Sequence, residues 1–257
     1  MEYLKSKSSK LFYILGGFFI TNTLIAEFVG VKIFSLEQTL GFEPLSLSIF
    51  GIDGLGFNMT AGVLLWPVVF VMTDIINEYF GKEGVKRLSF FAVGLIIYAF
   101  LMIFLAIKLS PNTWWDLESG LIKQPEIVSM NDAFQSVFGQ GLAIIIGSLI
   151  AFLVGQFIDV LVFQKIKKFT REKKIWLRAT GSTLVSQLID SFIVLLVAFY
   201  IFGDWSLTRV LAIGVVNYIY KFIMAIALTP IIYLAHEIID RYLGKELAEK
   251  LKFAASK

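Results

Sequence analysis

The chain has 257 residues, of which 57% are hydrophobic and only 17% are charged, with a formal net charge of +3. Soluble globular domains carry about 25% charged residues. The composition therefore indicates one membrane domain covering residues 1–257 and excludes a separate soluble domain. The sequence has no cysteine and one histidine, His236, which excludes disulfides, thiolate or polyhistidine metal centres and cysteine nucleophiles.

Six apolar stretches are long enough to cross a bilayer, since a spanning helix needs about 20 residues. The first follows a basic amino terminus and is too long for the apolar core of a cleavable signal peptide. Pro67 predicts a kink in the second stretch, and the third has almost no polar residue and is expected to face lipid. Gly147, Ala151 and Gly155 recur every fourth residue of the fourth, which is typical of closely packed helices. The stretches are 11–36, 57–80, 88–109, 141–163, 179–201 and 207–235.

The segments between and after these stretches give further expectations. Residues 37–56 contain Gly, Ser and Pro but no Lys or Arg, which predicts a loop. Residues 110–138 are interpreted as a lid or a short interfacial helix, and an aromatic belt is the simpler explanation of Trp114 and Trp115. Charged and apolar residues alternate from 236 to 257, which predicts an amphipathic cytoplasmic tail along the membrane surface.

The Lys and Arg residues predict the orientation, because positive charge concentrates in cytoplasmic loops. With six spans and both termini in the cytoplasm, the cytoplasmic segments hold all but five of the 23 Lys and Arg residues. The sequence therefore predicts an all-α membrane protein with six transmembrane helices and both termini cytoplasmic. The five exceptions are Lys32, Lys108, Lys123, Arg209 and Lys221.

Polar residues inside the fifth stretch are the main functional signal. At about 100° per residue they fall on one face of a helix whose opposite face is aliphatic. In lipid such a face must contact protein or trapped water, so other spans are expected to supply partners. The residues on this face are Ser182, Thr183, Ser186, Gln187 and Asp190.

The other spans also carry polar groups, and together these predict a path for a solute from one side of the membrane to the other. Three mid-span carboxylates, Asp74, Asp159 and Asp190, stand against a single mid-span lysine, Lys221, and this excess of charge would be costly without a function. The predicted substrate-binding residues are Asn22, Asp74, Asn77, Gln156, Asp159, Ser186, Gln187, Asp190, Asn217 and Lys221.

Structural explanations remain open for several of these groups. Asp190 and Lys221 are also explained by an ion pair that fixes helix register, and Gln156 by a bond to a backbone carbonyl freed at a kink. For Glu78, at the cytoplasmic interface, simple solvation is the better interpretation. Glu27 and Lys32 are interpreted as marking an outer vestibule.

Enzyme chemistry is disfavoured by what the sequence lacks. It contains neither a Gly-x-Ser-x-Gly elbow nor a Gly-x-x-x-x-Gly-Lys-Ser/Thr phosphate loop. Two aspartates can form a protease-like dyad by sharing a proton, but the Gly-x-Gly-Asp signature of membrane aspartyl proteases is absent. We predict no catalytic residue, metal or cofactor, and an intramembrane enzyme is the least favoured alternative.

Four motifs lie in order on four of the predicted spans. They are Phe-Val-Met-Thr-Asp-Ile-Ile-Asn-Glu-Tyr-Phe-Gly at 70–81, Gly-Gln-Phe-Ile-Asp-Val at 155–160, Ser-Thr-Leu at 182–184 with Asp-Ser at 190–191, and Tyr-x-x-Lys at 218–221 followed by Pro230. In this combination the chain resembles the queuosine-precursor transporter family, earlier labelled vitamin uptake transporters. One departure is Asn217, which stands where some relatives carry an aspartate.

The resemblance implies a multi-pass importer in the cytoplasmic (inner) membrane of a bacterium or archaeon. The implied fold is a six-helix bundle similar to the S-components of energy-coupling-factor vitamin transporters. The implied substrates are 7-cyano-7-deazaguanine and 7-aminomethyl-7-deazaguanine, which are salvaged to make queuosine in tRNA. We expect the importer to work by alternating access around a mid-membrane cavity. A vitamin-binding S-component-like subunit driven by a separate energising module is the alternative. Homo-oligomerisation also stays open, and no nucleic-acid partner is expected.

The chemistry of a guanine-like base agrees with this resemblance. Its edge presents an N–H and an exocyclic amine side by side, and one carboxylate accepts both hydrogen bonds. Asp190 is the first choice for that carboxylate and Asp74 the second. Lys221 is expected to hold an aspartate ionised or to bond the ring carbonyl. The amides of Asn22, Gln156 and Gln187 can donate to that carbonyl.

Overall fold

A computed structural model describes residues 6–117, 129–139, 142–170 and 175–255. These residues are mostly helical, and five of their helices are long and apolar enough to cross a membrane. The helices are α1 (Lys7–Val29), α2 (Leu36–Thr39), α3 (Trp66–Ile107), α4 (Thr113–Leu117), α5 (Met130–Phe138), α6 (Leu142–Thr170), α7 (Ile175–Leu195), α8 (Leu207–Ala227), α9 (Thr229–Leu243) and α10 (Lys245–Ala254), and the strands are β1 (Ile33–Ser35), β2 (Leu47–Ile49), β3 (Ile52–Leu55) and β4 (Asn58–Thr60).

Helix α3 contains most of both the second and the third predicted spans. An uninterrupted helix of its 42 residues would extend about 63 Å at 1.5 Å per residue, roughly twice the thickness of a bilayer core. Gly81 interrupts the helix with φ 69° and ψ −175°, a conformation that favours glycine. A Cβ atom at this position would also lie 3.2 Å from the Ala255 carbonyl oxygen. Gly81 therefore divides α3 into two arms, while the count of six spans stays a prediction.

The start of the second span differs from the sequence prediction. Residues 58–60 form β4, which pairs antiparallel with β1, and a turn of 3₁₀ helix covers Ala61–Leu64. Pro67 lies in the first turn of α3, where its missing N–H costs no helical hydrogen bond. The predicted kink at Pro67 is therefore wrong, and the break lies at Gly81. Residues 37–56, predicted as a loop, also include most of α2 and the antiparallel pair β2 and β3.

Apolar side chains from α1, α3 and α6 form the main core, in which Phe19, Ile76 and Phe152 are buried. Helix α6 packs closely along α7 and the π-helical turn that follows it. A Cβ atom on Gly147 would lie 3.2 Å from the Ala198 Cβ, and one on Gly155 would lie 3.7 Å from the Asp190 Cβ. The small-residue spacing therefore reflects helix packing. On the second arm of α3, by contrast, large apolar side chains are exposed, as expected for a lipid-facing span: Phe90, Phe91, Tyr98, Leu101 and Phe104.

The tail forms two helices, α9 and α10, and its packing was not predicted. Ile239, Leu243 and Ala248 are buried in the same core as α1 and α3. Lys7 Nζ donates a hydrogen bond of 2.9 Å to the Tyr242 carbonyl oxygen, which also ties α9 to α1. One apolar face of the tail is thus covered by the bundle.

His236 on α9 makes stability depend on pH. It is buried, and its Nδ1 lies 3.1 Å from the Tyr79 hydroxyl oxygen. Burial, helped by the positive charge of Lys252, lowers the pKa of His236 from 6.5 to about 3. Below pH 6.5 the unfolded chain takes up a proton on this imidazole whereas the folded protein does not, so its stability contribution is lost as the pH falls from 6.5 towards 3.

Acidification is therefore expected to destabilise the wild type more than a His236→Gln variant, whose side chain does not titrate. Between pH 7 and pH 5 the excess loss corresponds to at most about 2 kcal/mol. Thermal unfolding of both proteins in detergent at the two pH values measures it. Equal decreases in Tm would show that His236 is not buried as a neutral imidazole.

Candidate functional site

A cavity of about 320 Å³ lies between α1, α3, α6, α7 and α8. This volume is at the lower end of the range of about 300–1,000 Å³ typical of small-molecule sites. Asn58, Met59 and Val63 also line it and come from residues 58–64, here called the β4 segment, which comprise β4 and the 3₁₀ turn before α3. Much of the wall is aromatic and comes from Phe28, Trp66, Phe100, Phe138, Phe152, Phe199, Trp205 and Tyr220. The polar groups in the wall include Glu27, Ser148, Asp190, Asn217 and Lys221.

Asp190 and Lys221 form an ion pair in the cavity wall. The Lys221 Nζ lies 2.5 Å from Asp190 Oδ2, and the two side chains are 14% and 19% exposed respectively. A pair that only fixed helix register would be expected in a dry helix contact, whereas this one borders a hollow. Asn217, one helical turn before Lys221, lines the same cavity. Three of the predicted binding residues therefore meet at one site.

Glu27 was not among the predicted binding residues, yet it lines this cavity. Its Oε2 accepts a hydrogen bond of 3.0 Å from the Ser148 hydroxyl. Its Oε1 is buried and has no hydrogen-bond partner within the described ranges. The only sequence signal was a carboxylate near the end of an apolar stretch, close to Lys32. The structure places Glu27 in the cavity wall with one free acceptor.

A second polar cluster, formed by Asp74, Asp159, Ser182, Thr183 and Ser186, lies between α3, α6 and α7. Asp74 Oδ1 and Oδ2 accept bonds of 3.3 and 3.1 Å from the hydroxyls of Ser182 and Thr183. Asp159 Oδ1 accepts a 3.0 Å bond from the Ser186 hydroxyl. Neither aspartate lines the 320 Å³ cavity.

A small hollow lies beside this cluster and shares lining residues with the cavity. Its volume is about 20 Å³, enough for about one water molecule. Asp74, Thr183 and Gln187 line it together with Lys221, and Lys221 also lines the larger cavity. Two further predicted residues, Asp74 and Gln187, therefore line this hollow and not the larger cavity.

Three predicted residues are used in helix contacts and line neither space. Asn22 donates a 2.8 Å bond to the Phe18 carbonyl oxygen of its own helix. Asn77 Oδ1 accepts a 2.6 Å bond from Gln164, and Gln156 Oε1 accepts a 2.8 Å bond from Thr73. Spacing along one helix face identified these side chains as buried but did not show what they contact.

Glu78 corrects the sequence prediction of a solvated side chain. It is 0% exposed and lies 2.6 Å from Arg178 Nη2 and 3.4 Å from Lys167 Nζ. Lys167 Nζ also donates to the backbone oxygens of Glu78 and Lys252. The ends of α6 and α7 and the tail helix α10 thus enclose one carboxylate between two cations. These contacts close the end of the bundle opposite the β4 segment.

The chain is similar to known proteins both in its match to a family model and in its sequence. Residues 60–235 match a family model described as "Putative vitamin uptake transporter". Two relatives, each called "Probable queuosine precursor transporter", are 28% identical: one from Bacillus subtilis over 73% of this chain and 76% of its own length, and one from Haemophilus influenzae over 68% and 67%. The "Queuosine precursor transporter" of Escherichia coli is 26% identical over 78% of this chain and 81% of its own length.

No solved structure matches the chain. The family match covers most of the membrane domain, including all four motifs on which the resemblance depends, and so confirms that resemblance. The chain therefore belongs to the vitamin uptake transporter family and is a multi-pass membrane transporter, not an enzyme.

Proposed function

We propose that this chain imports queuosine precursors, the bases 7-cyano-7-deazaguanine and 7-aminomethyl-7-deazaguanine, across the cytoplasmic membrane for queuosine salvage. The observation that carries the proposal is the 320 Å³ cavity in which Glu27, Asp190 and Lys221 lie between aromatic walls. The names of the three relatives supply the substrate class.

The groups in the cavity suit the hydrogen-bonding edge of a guanine-like base. Glu27 is the better acceptor for the adjacent N–H and amine groups, because its Oε1 has no partner in the described part of the chain, whereas Asp190 Oδ2 already contacts Lys221. Lys221 and Asn217 can donate to the ring carbonyl. Asp190 keeps the lysine charge compensated, and both carboxylates favour the cationic aminomethyl base.

The aromatic wall suits the flat faces of the base. Trp66 and Phe152 have ring centroids 5.6 Å apart, and Phe199 and Trp205 stack with centroids 4.3 Å apart. Stacking of a base on an aromatic side chain contributes about 1–3 kcal/mol. Aromatic contacts would thus supply affinity, and the polar groups would select the hydrogen-bonding pattern.

In the proposed topology, the contacts at the two ends of the bundle support alternating access. With six spans and cytoplasmic termini, the β4 segment lies on the outer side and the Glu78 cluster on the cytoplasmic side. The described conformation is then closed towards the cytoplasm by Glu78, Lys167, Arg178 and α10. Delivery of the base would require this inner closure to open.

Transport by this chain alone is favoured over docking to an energising module. Docking would be expected to use a small-residue helix face, and α1 lacks an Ala-x-x-x-Ala stripe. The exposed side of α1 instead carries Tyr13, Ile14 and Phe18. A homo-oligomer or an energising module would be detected by the mass of the protein purified in mild detergent.

Binding of the bases to purified protein tests the function. Addition of either deazaguanine is expected to raise the Tm and to give saturable binding, while adenine and common vitamins should not. A vitamin that bound tightly in place of the bases would favour the S-component-like alternative. Absence of deazaguanine binding and uptake would refute the proposal.

Glu27→Gln tests the proposed role of the free carboxylate oxygen. Hydrogen bonds to charged groups contribute about 1.5–3 kcal/mol, so affinity for the bases is expected to fall about 10- to 100-fold. Titration calorimetry or a filter-binding assay measures the change. Glu43→Gln, in an exposed position outside the cavity, is the matched control, and equal affinities of the two variants would exclude Glu27 from the site.

A further inference from the structure

Acidic side chains inside the bundle differ in whether a cation lies close to them. Asp190 contacts Lys221, and Glu78 contacts Arg178 and Lys167. Asp74 and Asp159 are 1% and 0% exposed, and across the described ranges neither forms a salt bridge. Two ionised carboxylates enclosed together, without a cation, are costly in a low-dielectric interior.

The hydroxyl groups around these aspartates do not remove the imbalance. Ser182 Oγ lies 3.0 Å from the Ala179 carbonyl oxygen and 3.3 Å from Asp74 Oδ1, and Ser186 Oγ lies 3.1 Å from the Thr183 carbonyl oxygen and 3.0 Å from Asp159 Oδ1. Each hydroxyl has one hydrogen for two acceptors. A hydrogen on the carboxyl group would allow both contacts to be hydrogen bonds.

An unpartnered buried acceptor, an unpartnered buried donor and a neighbouring space also point to an exchangeable ligand. Asp159 Oδ2 is buried without a hydrogen-bond partner in the described part of the chain, and so is the Nε2 of Gln156, one helical turn earlier on α6. The hollow of about 20 Å³ touches Asp74 on one side and Lys221 on the other. Lys221 also borders the substrate cavity, so the hollow and that cavity share a wall residue.

We propose that Asp74 and Asp159 form a proton-binding site that couples proton entry to uptake of the base, an inference that rests on the proposed function. A proton arriving from the outer cavity passes through the hollow beside Lys221 and binds the aspartate pair, whose negative charge it reduces. Release of the same proton to the cytoplasm after the inner closure opens completes the cycle. No bond other than the one to the proton is formed or broken.

The surrounding charges favour a proton over a metal cation. Lys221, which lines the hollow, carries a positive charge that would repel a sodium ion there. Two cations near the pair, Lys167 and Arg178, already contact Glu78. The ionisable groups around the pair come from several helices. These groups are Glu78 on α3, Lys167 on α6, Arg178 and Asp190 on α7, Lys221 on α8, His236 on α9 and Glu27 on α1.

Transport by purified protein in liposomes tests the coupling. In the wild type, an outside-acid gradient of about one pH unit without sodium is expected to drive accumulation of 7-cyano-7-deazaguanine up to about tenfold above equilibrium, since one pH unit corresponds to 1.36 kcal/mol for one proton per base. A protonophore should reduce the accumulation to equilibrium. Asp159→Asn should abolish accumulation but retain exchange of labelled for unlabelled base, whereas Asp53→Asn, at an exposed position in β3, should retain both.

A measurement on the wild type alone covers the case in which Asp159→Asn does not fold. Addition of the base to liposomes that contain a pH-sensitive dye is expected to acidify the lumen. Exchange of the base without acidification, accumulation driven by sodium, or full accumulation by a folded Asp159→Asn variant would each overturn the coupling proposal. Absence of any binding or exchange by the wild type would instead refute the proposed function itself.

Discussion

Asp190→Asn is expected to abolish uptake of deazaguanine bases while leaving the protein folded in the membrane. The carboxylate lies 2.5 Å from the Lys221 amine and borders the cavity. An amide cannot compensate the lysine charge, so the cation would be left facing the base without its counter-ion. The uncompensated ammonium is expected to weaken the hydrogen bonds to the base by about 1.5–3 kcal/mol, which lowers affinity about 10- to 100-fold, and the altered charge is expected to reduce transport further.

Uptake into cells or liposomes, together with the amount of membrane-inserted protein, measures this effect. Lys221→Met provides the complementary variant, since it removes the other member of the pair. Because both side chains are partly exposed to the cavity, Lys221→Met should mainly lower uptake and change Tm little. Wild-type uptake by Asp190→Asn would remove Asp190 from the site, and a large loss of Tm in Lys221→Met would indicate a structural pair.

Glu78→Gln is expected to destabilise the fold by about 3–5 kcal/mol, the cost of removing one partner from a buried ion pair. The side chain is 0% exposed, and Arg178 and Lys167 both lie within 3.4 Å of it. Without the carboxylate, two buried cations would repel each other where α3, α6, α7 and α10 meet. Thermal or denaturant unfolding in detergent measures the loss.

Glu246→Gln is the matched control for this effect. Its partner Lys250 lies 2.7 Å away on the same helix, but both side chains are exposed, and such pairs add little to stability. The control should unfold like the wild type. If Glu78→Gln also unfolded like the wild type, the buried charge cluster would not hold these parts of α3, α6, α7 and α10 together.

The sequence predicted which polar side chains lie inside the bundle better than it predicted their contacts. A charged or amide side chain inside an apolar run is visible without coordinates. Asp190, Asn217 and Lys221 were selected in this way, and they lie in one cavity wall. Glu27 was visible as well, but its depth near the outer end suggested a vestibule. Only the contacts made by α6 show that its carboxylate turns into the cavity, where it bonds Ser148.

Long-range contacts account for the remaining errors. Lys167 and Arg178 flank what reads as a charged cytoplasmic loop, and the sequence gives no sign that both converge on Glu78. Between the second and third predicted spans, the chain makes only a sharp break at Gly81, where the sequence had indicated a longer loop. The strands at 33–60 are three or four residues long, too short for a recognisable alternation.

Protection of an introduced cysteine tests most directly whether the deazaguanine base occupies the cavity. The natural chain has no cysteine, so Ile213→Cys, in the cavity wall, would carry the only reactive thiol. The account predicts that 7-cyano-7-deazaguanine slows labelling of this variant by a thiol reagent, with half-protection near the dissociation constant, and leaves Asp53→Cys unaffected. Unchanged labelling of Ile213→Cys at saturating base, in protein that still binds it, would contradict the account.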